Sequence, residues 1–270
     1  MVTEQHFERC DDTQSYWVVI PAYNEADTVR DVALRARRQC AHVIVVDDGS
    51  TDGTAEALAR LDVTVLRNDE NLGKAGSLYR GFAHALAQGA VGVLTLDADG
   101  QHAPEDIPLL LDAAAAQPTA FVIGARRRDQ RRASFWRYLA NRIADFWIGW
   151  AAGAPIEDSQ SGFRLYPAAL LRAIDLPHDR SRSFVFESEI VIEAARKGFP
   201  CRAVSVTVAP RAGQRASHFR PAGDIARITM MVGWKLLTSG FHPRGLVRVI
   251  CAAMGRQHGS NQWPADSHRL

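Results

Sequence analysis

The sequence predicts an α/β fold: a doubly wound, mostly parallel sheet with helices on both faces. Three observations carry this expectation. Short Val- and Ile-rich runs alternate with helical patterns through the first half of the chain. Those runs are continuously apolar rather than alternating, as in strands covered on both faces. Polar and acidic clusters then follow successive runs, at the strand ends where open α/β sheets bind ligands.

In chain order, strands are expected at 17–21 (WVVIP), 42–48 (HVIVVDD), 63–68, 91–97 and 120–124. Helices are expected between them at 26–39, 54–61, 75–88 and 104–117. In the first, Val29, Val32, Ala33 and Ala36 recur at the helical period. Pro104, with Glu105 and Asp106 behind it, is a helix start, and Pro118 marks the stop. The second half is less regular. It predicts a long amphipathic helix over 134–152, a short strand at 163–166, a helix near 187–197, a strand at 202–209 and a further amphipathic helix at 224–239. The expected organisation is a loose N-terminus (1–14), one domain (15–223), a C-terminal amphipathic helical region (224–254) and a loose polar tail (255–270).

Bulk properties narrow the function. A formal net charge of +2 gives no case for nucleic acid as a partner. Cys10, Cys40, Cys201 and Cys251 are far apart and form neither a zinc signature nor a disulfide framework, so a reducing cytoplasm is expected. The N-terminus lacks the apolar core of a signal peptide. No apolar run approaches the roughly 20 residues needed to span a bilayer. The best candidate, 143–156, contains Asp145 and Pro155. A soluble or peripheral protein is expected.

Three clusters carry candidate chemistry: Pro21-Ala22-Tyr23-Asn24-Glu25, the run from Asp47-Asp48-Gly49-Ser50 to Thr54, and Asp97-Ala98-Asp99-Gly100-Gln101-His102. Any one of them could simply cap the next helix. Three at successive strand ends point to a ligand. Asp97 and Asp99, leaving a strand into a turn, can converge on Mg²⁺ or Mn²⁺, and Gln101 adds a neutral oxygen. Such a cation suits a diphosphate leaving group, whose charge grows as its bond breaks. His102 reads as a solvent-facing turn residue rather than a ligand.

The motifs PAYNE, VVDDGSTDGT, NLGKAGS, LDADGQHAPEDIP and DSQSGFRLYP occur in this order between Trp17 and Pro221. This set resembles family-2 glycosyltransferases, and most closely their polyprenyl-phosphate group, typified by dolichyl-phosphate mannosyltransferase. The resemblance implies a GT-A fold with a nucleotide-binding half and an acceptor half. It also implies inverting transfer of a hexosyl group from a nucleotide diphosphate sugar, with Mg²⁺ or Mn²⁺ as cofactor. The implied acceptor is a polyprenyl phosphate, with a hydroxyl of another lipid or small molecule as the runner-up.

Carried over by residue, the resemblance places Pro21, Tyr23 and Glu25 at the base and ribose, with Val46 and Asp48 on the other side of the nucleoside. Asp97 and Ala98 lie against ribose and phosphates, and Asp99 and Gln101 hold the metal. Arg126 and Arg164 face the diphosphate or an acceptor phosphate. Asp158 is the acceptor-side carboxylate, either a base or an anchor of its loop. The family's closing Arg, Gly and Ser-Lys element appears here as Arg211, Gly213 and Ser217-His218, with a different spacing and histidine for lysine. Arg211 and His218 are its diphosphate candidates, and Arg215 is an alternative fixed charge.

Competing classes fit less well. No G-x-G-x-x-G follows the first strand, which argues against a dinucleotide-binding oxidoreductase. Asp47-Asp48 follows the second strand, whereas a phosphorelay receiver carries its acidic pair after the first. A non-catalytic nucleotide-sugar-binding scaffold is the alternative from another class, and the intact acidic residues stand against it.

One surface remains. Arg126-Arg127-Arg128 and Arg131-Arg132 precede Trp136, Leu139, Ile143, Phe146, Trp147 and Trp150 at helical spacing, with Arg137, Asn141 and Asp145 on the opposite stripe. Ile225, Ile228, Val232 and Leu236 share one face of the later helix. Such faces pack on a domain or lie in a membrane interface. Peripheral attachment to a membrane is the expectation where no span exists.

Overall fold

In the computed structural model, residues 15–126, 135–178, 183–208 and 221–255 are described. Their sheet is built around β1 (Tyr16–Ala22), which pairs in parallel with β2 (Val43–Asp47) on one side and β4 (Gly92–Thr95) on the other. β3 (Thr64–Arg67) extends the β2 side, again in parallel. Beyond β4 lie β6 (Arg164–Pro167), β5 (Phe121–Arg126) and β7 (Cys201–Val206), giving the order β3-β2-β1-β4-β6-β5-β7. β6 runs antiparallel to both neighbours, so the sheet is mixed, with all its other pairings parallel.

That reversed strand positions the site. Parallel strands deliver their following loops to one edge of a sheet, whereas an antiparallel strand delivers its preceding loop to that edge. The pairing of Thr95 with Arg164 therefore sets the loop before β6 beside the turn that follows β4.

Helices cover both faces, and the two-residue period of the strands divides their side chains between two cores. Val18, Ile20, Val43 and Val45 face α1 (Val29–Gln39) and α4 (Ile107–Ala116). Val19, Ile44, Val46 and Phe121 face α3 (Gly73–Ala87), α5 (Phe135–Ala152) and α7 (Ser183–Arg196). The outer strands depart from the continuously buried pattern: β3 alternates and β7 is largely uncovered, as expected at sheet edges.

Several expected boundaries move for identifiable reasons. The helix expected at 54–61 is the single turn α2 (Thr54–Leu58), and Arg60 just beyond it has a left-handed φ of 65°. Pro104–Asp106 forms a 3-10 turn ahead of α4. α6 (Ala168–Ala173) was not anticipated. The C-terminal region resolves into two helices, α8 (Pro221–Thr238) and α9 (Pro243–Gly255).

On α8, Val232 and Leu236 are buried and Ile228 packs against the same core, so the face singled out as interfacial is the packing face. Among the described side chains of α5, Ile148, Ala151 and Ala152 are buried, while Ile143 and Trp147 are exposed. Arg127, Arg128, Arg131, Arg132, Arg211, Arg215 and His218 lie outside the described residues, as do both expected loose ends except for Gly255.

Candidate active site

The loops after β1 and β2 are tied to each other. Asn24 N–H donates to Ser50 Oγ at 2.9 Å, and Thr51 N–H donates to Asn24 Oδ1 at 2.9 Å. Glu25 N–H donates to Thr54 Oγ1 at 2.9 Å. Asn24 has a φ of 55°, a left-handed conformation that asparagine tolerates better than most residues. Pro21, Tyr23 and Glu25 are thereby held half-buried on one rim.

Val46 is fully buried among the core residues behind the sheet, so its side chain cannot line a nucleoside as expected. Asp48 is also buried, and its carboxylate is engaged by its own chain. Oδ1 accepts from Asn68 Nδ2 at 2.7 Å and Leu72 N–H at 2.9 Å; Oδ2 accepts from Gly73 N–H at 2.8 Å. Asp48 thus clamps the start of α3, where a carboxylate also meets the positive end of the helix dipole.

That clamp aims Lys74, in the first turn of α3. Its Nζ lies 2.6 Å from Asp97 Oδ1 and 3.1 Å from Glu187 Oε2. Burial alone would lower the lysine pKa, but the two carboxylates override it and raise it. Burial alone would raise the Asp97 carboxyl, and the Lys74 ammonium instead holds it below the usual carboxylate range. Glu187 Oε1 is buried without a hydrogen-bond partner.

Lys74, Asp97, Asp99, Gln101, Arg126 and Glu187 line one polar cavity of about 170 Å³, together with Ser159, Gln160, Arg164 and Ser188. Asp99 Oδ1 accepts from Gln101 N–H at 3.0 Å, which shapes the turn after β4. Ala98 is buried between the two aspartates. His102, expected to face solvent, is buried against the Phe163 ring at 5.4 Å, and burial lowers its pKa. Among the described residues, no three His, Cys, Asp or Glu side chains converge as a complete cation site. Two carboxylates and an amide oxygen in one cavity nevertheless fit a hard divalent cation whose remaining ligands come from phosphate or water.

On the other wall, Arg126 and Asp158 form a two-point ion pair. Asp158 is buried and has a left-handed φ of 50°. Ser159, next to it, donates from both N–H and Oγ to Asp145 Oδ1, at 2.9 and 2.7 Å. The loop closes on Gly162, where an added Cβ would run into the Asp97 carboxylate.

Arg164 does not present itself to a phosphate as expected. Although it lines the cavity, its side chain is fully buried and donates to three main-chain carbonyls: Ser161 at 2.6 Å, Glu187 at 2.6 Å and Ser159 at 2.8 Å. It joins the loop before β6 to α7.

The sequence motifs assign no site role to Lys74, Glu187 or Asp145. Two signals were available. Lys74 is the one cation in a glycine-bounded motif, and Glu187-Ser188-Glu189 sits within the otherwise apolar run 184–192.

Comparison with known proteins supplies the family and the fold. The family model described as Glycosyl transferase family 2 matches residues 17–173. A polyprenol monophosphomannose synthase from Mycolicibacterium smegmatis is 32% identical over 210 residues, covering 74% of this chain and 79% of that one. An undecaprenyl-phosphate mannosyltransferase from Micrococcus luteus is 33% identical over 205 residues, covering 72% and 83%. Among solved structures, glucosyl-3-phosphoglycerate synthase from Mycobacterium tuberculosis, crystallised with Mn²⁺, uridine diphosphate and glucosyl-3-phosphoglycerate, superposes with a TM-score of 0.60. That likeness covers 85% of this chain and 81% of the other at 21% identity, and it speaks to the fold. The chain therefore belongs to glycosyl transferase family 2 and is a glycosyltransferase of GT-A fold.

Proposed function

We propose that this enzyme transfers a hexosyl group from a nucleoside diphosphate sugar to a polyprenyl phosphate, with inversion at the anomeric carbon. The observation that carries the reading is the single cavity joining Asp97, Asp99 and Gln101 to Lys74 and Arg126. Pro21, Tyr23 and Glu25 would hold the nucleoside on the rim above it. Asp99 and Gln101, with Asp97, would hold Mg²⁺ or Mn²⁺, which when bound supplies charge neutralisation to the leaving diphosphate. Lys74 adds a fixed positive charge at the same place. Glu187 Oε1 is an acceptor for a sugar hydroxyl.

The setting of Asp158 supports the choice of acceptor. Both of its carboxylate oxygens already accept from Arg126, so it is poorly placed to take a proton from a hydroxyl nucleophile. A phosphate monoester has a second pKa of about 6 and needs no base at neutral pH; it needs cations. Arg126, at the end of β5, is the described cation for that task. The two relatives, named a polyprenol monophosphomannose synthase and an undecaprenyl-phosphate mannosyltransferase, support the same acceptor. Among the described residues no helix is long and apolar enough to cross a membrane, so the enzyme would meet a lipid acceptor from the bilayer surface.

The test is a panel of nucleotide sugars assayed for nucleoside diphosphate release, with and without a polyprenyl phosphate. The expected result is release that depends on the lipid phosphate, stops on chelation and returns with Mg²⁺ or Mn²⁺. Release that depends equally on a lipid alcohol would move the reading to hydroxyl transfer. Tight donor binding without turnover would leave a scaffold.

A further inference from the structure

Among the described residues, the cavity is lined by the carboxylates of Asp97, Asp99 and Glu187 and by the cations Lys74, Arg126 and Arg164. Much of this charge is already engaged within the protein. Arg164 donates to three main-chain carbonyls, and Arg126 holds Asp158. Lys74 is one positive charge shared between Asp97 and Glu187, so that pair of acids keeps an excess of negative charge.

Glu187 differs from the other two lining acids. Asp97 and Asp99 stand in the turn after β4, where the cation and the diphosphate are proposed to lie. Glu187 comes from α7, on the acceptor side of the fold. A carboxylate can accept about four hydrogen bonds. Here Oε2 meets Lys74 at 3.1 Å, and Oε1 is buried with no hydrogen-bond partner. Leaving a buried acceptor unpaired is costly, and in a ligand cavity the missing donor is one that the ligand can bring.

The carboxylate is also held in position. The Glu187 main-chain carbonyl accepts from Arg164 Nη1 at 2.6 Å, which ties α7 to the loop before β6. α7 packs on α3, whose first turn carries Lys74. The next two acids of α7, Glu189 and Glu193, turn instead to Lys235 on α8. Only Glu187 of these three lines the cavity.

We propose that Glu187 selects the donor sugar: it accepts a hydrogen bond from one hydroxyl of an uncharged hexose, and it excludes hexuronates. A fixed acceptor left unpaired discriminates strongly against a ligand that lacks the matching donor. A uronate would bring a second carboxylate to a cavity where negative charge is already in excess, and like charges brought together are strongly disfavoured. The proposal rests on the nucleotide-sugar reading and adds to it the charge class of the sugar and the residue that reads it.

The experiment is titration calorimetry of the full chain with Mg²⁺ and no acceptor, using UDP-glucose, UDP-galactose and GDP-mannose. The hexose nucleotide that binds is then compared with its uronate and with analogues in which each sugar hydroxyl in turn is replaced by fluorine. Fluorine keeps the bulk and removes the donated proton. In wild type, one fluorinated analogue and the uronate should each bind about tenfold more weakly or worse. Glu187→Ala should bind that analogue and its parent alike, and Glu187→Gln should narrow the gap between hexose and uronate. An equal loss for every ligand, the bare nucleoside diphosphate included, would make Glu187 a scaffold and overturn the proposal. So would a wild type that binds all the fluorinated analogues, or the uronate, as tightly as the parent; the donor reading would then stand, because the parent still binds. If no hexose nucleotide bound at all, the donor reading and this proposal would fall together.

Discussion

Arg126 grips Asp158 at three points: its Nε lies 2.8 Å from Oδ2, its Nη2 2.7 Å from Oδ1, and its main-chain N–H donates to Oδ2 at 2.9 Å. The pair joins the end of β5 to the loop before β6 and forms one wall of the cavity. Because the aspartate is buried and the arginine partly open to solvent, removing the arginine strands a buried charge. A double-mutant cycle of Arg126→Ala and Asp158→Ala, measured by denaturant unfolding, should show coupling of about 1–3 kcal/mol. Additive losses would remove the pair from the architecture of the site. In kinetics, Arg126→Ala should reduce transfer far more than donor binding. The opposite split would place Arg126 on the donor.

The Lys74–Asp97 contact predicts a pH signature. The Asp97 pKa is depressed in the folded state, so the unfolded chain binds the proton first as pH falls. The contact therefore stabilises the fold above the ordinary carboxylate range near pH 4 and is lost as pH drops through the lower folded value. Lys74→Met removes the cause of that depression. Its melting temperature should be lower than wild type at pH 7, with the gap closing toward pH 3, and transfer should fall by roughly 100-fold or more. Parallel melting curves across that range would show that the contact carries no linkage.

Arg164 should behave as structure. Arg164→Ala leaves three buried carbonyls without their donor and empties a large volume. A cost of about 3 kcal/mol or more is expected, or roughly 6–12 °C in melting temperature for a chain of this size. An unchanged melt with a raised KM for the acceptor would instead make it a phosphate ligand.

Gly162→Ala tests the closeness of the loop before β6 to Asp97. A methyl group there meets the carboxylate directly, so either the loop or the carboxylate must move. A displacement of about 1 Å in a catalytic constellation costs on the order of 100-fold in rate. Turnover should fall accordingly while the melt shifts by only a few degrees. Near-normal turnover would mean that Asp97 has room to move without consequence.

By itself, the sequence determined the strand–helix alternation of the first half and which strand-end turns are candidates for the chemistry. Val43–Asp47 and Gly92–Thr95 are apolar runs closed by acidic turns, a local pattern that needs no partner to be read. Asp97, Asp99 and Gln101 were candidates for the same reason, whereas Arg126 was a candidate through the family resemblance, and all four line one cavity. Tertiary structure decided which groups meet. Lys74 reaches Asp97 because Asp48 pins the start of α3. Arg126, not Arg164, takes Asp158, because β6 reverses direction and brings its preceding loop to the end of β5. The helical period showed that α8 has an apolar stripe, but not which one is covered. Val232 and Leu236 are buried while Met230 and Trp234 are exposed, and that outcome depends on where α5 and α7 lie. Periodicity is a property of neighbours in sequence, whereas burial and ion pairing belong to residues brought together by the folded sheet and its helices.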